Sequence, residues 1–176
     1  MDNGQAHNLV PDPADPDQLM PSFALPKTNP MLLTGMPMPP SMNHAYASVE
    51  IAGVQRRVKG DAMRAYERDC ATWALANSSA LRQVRAEIAD IRDRYPRRTF
   101  GVASDFWFLR ENVLTTKGLP KRNDVSNRIK ALHDQLSQLI GLDDCWFWGV
   151  TACKRVLAPG KRIEYVDVIV TLVAED

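Results

Sequence analysis

The sequence predicts an α+β fold in which two long helices pack on a mixed β-sheet. Two observations carry this reading. Apolar residues recur at helical spacing over 61–96 and again over 125–140. Between and around those segments lie short stretches rich in β-branched and aromatic residues, bounded by Gly and Pro. The order along the chain is strand, β-ribbon, helix, strand, helix, strand, strand, without an internal repeat.

Each element follows from local chemistry. Residues 1–30 are rich in Pro, Asp and Asn and lack an apolar period, so they are expected to form an acidic, disordered arm. A single domain is expected over 31–176. "MLLTGMPM" reads as a first strand, halted by Pro39-Pro40. "YASVEIAGVQRRVK" reads as two short strands turning at Ala52-Gly53. Asp61 is placed to cap the first helix, whose buried stripe takes Met63, Tyr66, Cys70, Trp73, Ala74 and Leu75. Residues 76–79 are a point of interruption, after which Leu81, Val84, Ile88 and Ile91 resume the stripe as far as Pro96. "RTFGVASDFWFLREN" offers Phe100, Val102, Phe106, Phe108 and Leu109 to the core as a strand. The second helix is expected from Val125 to Ile140, buried through Ile129, Leu132, Leu136 and Leu139/Ile140, and ended by Gly141. Two strands, "CWFWGVTACKRVLA" and "RIEYVDVIVTLV", follow around the turn Pro159-Gly160. In the first, Trp146 and Trp148 share one face and Phe147 takes the other; either one face is a dimer surface or both are core.

Composition narrows the class. A chain of 176 residues, 45% hydrophobic and 24% charged, can bury one core of ordinary size. Its three cysteines are widely spaced and form no CxxC pair, and histidine is scarce, which argues against zinc. Reduced thiols, no secretory leader and no apolar run able to cross a bilayer lead to the expectation of a soluble cytoplasmic protein with no membrane partner and no small-molecule cofactor.

Charge is uneven. The chain as a whole carries +1, but Lys117–Arg162 holds nine cations against four acids, an excess of five. Such a local excess suits a phosphate backbone, although loops and edge strands also carry Lys and Arg for solubility. Asp124 stands at a helix start, where a side-chain cap explains it, and Asp143-Asp144 follow a helix-ending glycine, where a polar turn does. A helix of that length separates its ends by roughly 24 Å, so these acids do not meet along the helix itself.

The stretch "KRNDVSNRIKALHDQLSQLIGLDD" resembles the signature of the RusA-type Holliday-junction resolvases: basic residues, D-x-D-N, a lysine three residues on, an apolar helix, then a D-D pair. Upstream, "MPMPPSMNHAY" is similar to that family's P-P-S-x-N-x-x-Y stretch, and "AMRAYERD" resembles the helix start that follows it. The likeness spans about Met31 to Val173.

The resemblance implies a small two-fold dimer, a Mg²⁺-dependent endonuclease (with Mn²⁺ as a substitute) that nicks four-way DNA junctions. It implies Asp124, Asp144 and Lys130 as catalytic residues, and Asp124, Asp144, Asp143 and Ser126 as the metal set. It implies Asn127 as the motif's asparagine. Lys117, Lys121, Arg122, Lys154 and Arg155 are then expected along the DNA backbone, with Ser41 and Asn43 as further phosphate contacts. One departure stands out: Ser126 occupies the position of the motif's second aspartate. A hydroxyl lacks the charge that holds Mg²⁺ against its water shell. Two alternatives therefore accompany the nuclease reading: a catalytically weakened or inactive binder of branched DNA, and a protein-interaction module without enzymatic function.

Overall fold

A computed structural model describes residues 30–173. The arm expected at 1–30 lies, Pro30 apart, outside the described residues. The α+β class holds: among the described residues there are five helices, a mixed four-stranded sheet and a separate two-stranded one.

In chain order the elements are β1 (Met31–Pro37), α1 (Met42–Ala45), β2 (Tyr46–Ile51), β3 (Val54–Lys59), α2 (Asp61–Ala76), α3 (Ser78–Arg94), β4 (Phe100–Phe108), α4 (Arg110–Val113), α5 (Ser126–Ile140), β5 (Phe147–Val156) and β6 (Tyr165–Leu172). The main sheet runs β1-β6-β4-β5. β6 is antiparallel to both β1 and β4, whereas β5 lies parallel to β4. A parallel pair needs a crossover, and α5 supplies it. The strands on either side of Pro159-Gly160 are thus not a hairpin, because β4 lies between them.

The core fills one face of this sheet. β4 alternates strictly, burying Phe100, Val102, Phe106 and Phe108. Val166, Val168 and Val170 of β6 join them, and α3 closes the layer with Leu81, Val84, Ile88 and Ile91. From α5 come Leu132, Leu136, Leu139 and Ile140. The β2–β3 ribbon stands apart and largely exposed.

Three expectations change in detail. The first long helix is two helices, because Asn77 leaves the helical path between α2 and α3 (φ −109°, ψ 24°). Leu75, given to the core stripe by spacing, is 80% exposed at the end of α2. Gly60, not Asp61, is the cap of α2. The Asp61 carboxylate lies inside the first turn, where it accepts from Arg64 at 2.7 Å and is held below its ordinary pKa by that bond. α5 behaves as expected, ending at Gly141 in the left-handed conformation (φ 72°).

Candidate functional site

α5 organises the residues singled out by sequence. At its start, Asp124 Oδ1 accepts from the Ser126 backbone N–H at 2.9 Å and from the Ser126 hydroxyl at 2.6 Å. These two donors, with Lys154 nearby, hold the exposed carboxyl below its ordinary pKa. Val125, not Asp124, is the cap residue of α5, and Asp124 stands one position before it, bound to Ser126. Lys154, from the far end of β5, donates its ammonium to the Asn123 carbonyl.

One turn into α5, Arg128 donates to the carbonyl of the buried Pro39, and its guanidinium stands 5.6 Å from the centre of the Phe108 ring. This bond seats the Pro-Pro-Ser loop against α5. In that loop the Ser41 hydroxyl oxygen accepts from the Asn43 N–H at 3.4 Å and caps α1, while Asn43 itself is exposed.

Lys130 follows and donates to Asp134 at 2.9 Å. That bond is the main cause raising its pKa; the charge of Asp144 adds to it. Beyond α5, Asp143 accepts from the Cys145 N–H at 2.9 Å and opens a short 3-10 turn, Asp144–Trp146. Asp143 and Asp144 line a cleft of about 310 Å³ together with Asp134, Glu67, Lys59 and Tyr46. Glu67 is bound there by Lys59. Spacing did not single out Asp134, Glu67 or Lys59 as part of a site. The i, i+4 relation of Lys130 and Asp134 was the available signal for one of them.

Asp124 and Asp144 are not together. Two rulers agree on this. α5 has 15 residues between them, about 22 Å at 1.5 Å per residue. β5 begins beside Asp144 and carries Lys154, which meets Asn123, seven residues further along, about 23 Å away. Among the described residues no group of three or more His, Cys, Asp or Glu side chains is placed to hold a metal ion. Within one chain, the residues implied as the metal set do not fit an ion shared by Asp124 and Asp144.

The expected basic track is also divided. Lys117, Lys121 and Arg122 are exposed on the loop leading into Asp124, with Lys121 bound to the Glu111 carbonyl at 2.6 Å. Lys154 and Arg155, neighbours on a strand, point to opposite faces. Lys154 stays with Asp124, whereas Arg155 bonds Asp105 at 3.1 Å on the face of the sheet opposite the core, where Cys153 and Asp167 also lie. Arg155 therefore does not join the Asp124 group.

No helix among the described residues is long and apolar enough to cross a membrane. Comparisons of the chain with protein-family models and with curated proteins find no match.

Proposed function

We propose that the chain is a Mg²⁺-dependent endonuclease subunit that acts on branched DNA, four-way junctions foremost, as a two-fold homodimer. The observation that carries the reading is the corner at the start of α5. There an ionised Asp124 stands beside Ser126 and Lys154, with Lys130 farther along the same helix and a run of exposed cations leading in. Lys117, Lys121 and Arg122 would seat a phosphate backbone without reading sequence. The Lys130 ammonium is a compact cation suited to the charge that builds on a cleaved phosphate. Bound magnesium, or manganese, supplies an activated water in chemistry of this class. Asp124 and Asp144, with Asp143 and Ser126, are the residues that would hold it, and in one chain they stand apart.

Ser126 supports a second reading, a branched-DNA binder without cleavage. Its hydroxyl is spent on Asp124 at 2.6 Å and brings no charge. One assay separates the two: a synthetic four-way junction incubated with Mg²⁺ or Mn²⁺. Wild-type protein nicks it, and Asp144→Asn binds it equally well but does not nick. An Asp144→Asn protein that cuts at the wild-type rate refutes the metal-holding role of Asp144, and a wild-type protein that binds without cutting establishes the second reading.

A further inference from the structure

We propose that residues 18–26 of this same chain lie across the outer face of the main sheet, with Phe23 seated in the depression between β4, β5 and β6. The cover forms with or without DNA or metal, and so stands apart from the nuclease reading.

Among the described residues the sheet is covered on one side only. α3 and α5 close that side, over Phe100, Val102, Phe106 and Phe108 of β4. On the opposite face the register sets Leu32 beside Ile169, Ile169 beside Ala103, and Ala103 beside Thr151, one row across all four strands. Leu32 is 51% exposed and Ile169 36%. A sheet face meant for water carries polar side chains, whereas Leu32, Ile169 and Ala103 are apolar. β4 and β5 are also a parallel pair, and parallel strands are normally covered on both sides.

Beside this row is a depression of about 220 Å³ whose walls include Ala103, Thr151, Cys153 and Ile169. Asp105 and Asp167 border it, but their charges are already answered. Asp105 accepts from Arg155 at 3.1 Å, and Asp167 accepts from the Trp107 indole and the Gly35 N–H, each at 2.9 Å. The depression therefore suits an apolar side chain rather than an ion.

The chain carries such side chains close by. The stretch "QLMPSFALP", residues 18–26, is uncharged between Asp17 and Lys27 and holds Leu19, Met20, Phe23 and Leu25. It leads into Met31, the first residue of β1, and the next residue, Leu32, begins the apolar row. Phe23 precedes Met31 by eight residues, at most about 26 Å of extended chain. At about 4.8 Å between strands, the gap between β4 and β5 is about 12 Å from β1. The reach is ample, and the tether gives the segment an effective concentration that a partner in solution does not match. Pro21 and Pro26 bar a continuous helix or an added strand, which leaves an extended course over the sheet.

The test uses the full chain with Cys145→Ser, which leaves Cys153 as the accessible thiol because Cys70 is buried. A maleimide should label Cys153 more slowly than a free peptide thiol. Phe23→Asp should speed that labelling about tenfold, with an unchanged circular dichroism spectrum, because the cover no longer closes. Phe23→Leu, which stays apolar, should remain protected. Phe23→Cys in the same background should form, on mild oxidation, a disulfide to Cys153 within one chain, seen as a monomer on a non-reducing gel and located by peptide mapping. Labelling of the parent as fast as a free thiol, or at one rate with and without Phe23→Asp, overturns the cover. A disulfide that forms only between chains, with protection that falls on dilution, assigns the face to a second copy and also overturns it.

Discussion

Replacing Arg128 tests whether α5 holds the Pro-Pro-Ser loop in place. Arg128→Met keeps most of the aliphatic volume but removes the donor to the Pro39 carbonyl and the cation above Phe108. Pro39 is buried, so its carbonyl has no ready water to replace the guanidinium. A buried acceptor left without a donor costs about 1–3 kcal/mol. The lost cation–ring contact adds about 0.5–1 kcal/mol. Burial also pulls the Arg128 pKa down, a sign that holding this charge has its own desolvation cost, and that cost disappears with the charge. The net expectation is a loss of about 2 kcal/mol by urea denaturation, or a fall of about 4–8 °C in Tm. Amide exchange should quicken over Asn43–Tyr46, the segment that the bond secures. Arg128→Lys, which keeps charge without the planar fork, should fall between the two. A loss under about 0.5 kcal/mol with unchanged exchange would mean that the loop is held by something else.

Three further outcomes are expected. Gly141→Ala forces a Cβ into a left-handed turn where no neighbouring atom clashes, so denaturation should report the backbone cost alone, about 1 kcal/mol, with Gly141→Asn costing less. Burial lowers the pKa of His133, so the unfolded chain binds its proton first. Stability contributed by the neutral ring is therefore complete above about pH 6.5 and is lost as pH falls through the folded pKa. Its slope is at most about 1.4 kcal/mol per pH unit, and His133→Gln should remove it from urea titrations between pH 7 and 5. Ser126→Asp restores a carboxylate beside Asp124 and should tighten Mn²⁺ binding by on the order of tenfold; unchanged affinity would exclude position 126 from the metal set.

Much of the fold was legible because local period reports burial. β4 buries one face in the main core and α5 buries most of its stripe there, with Ala131 in a second, smaller cluster, and their alternation and 3.6-residue stripe appear in the sequence. The break at Asn77 was visible only as a polar interruption. Leu75 misled because helical spacing continues to the end of α2 whether or not anything packs there, and Leu75 is exposed. That β5 and β6 each pair with β4 and not with each other was not legible, since a turn containing Pro159-Gly160 fits a hairpin and a longer return equally well. At the site, the carboxylate at position 124 and its serine neighbour were readable from adjacency. The cleft that gathers Glu67, Lys59, Asp134 and Asp144 joins three separate elements and a turn, and no spacing within one segment reports such a meeting.

The position of β6 has a consequence for biogenesis. Among the described residues, the strand latest in the chain, β6, is the one inserted between β1 and β4. While the ribosome is still translating residue 164, β1 has no partner in the main sheet, and the buried faces of Val166, Val168 and Val170 do not yet exist. The sheet therefore cannot close until β6 has emerged, and early termination before Tyr165 leaves β1 detached rather than a smaller working domain.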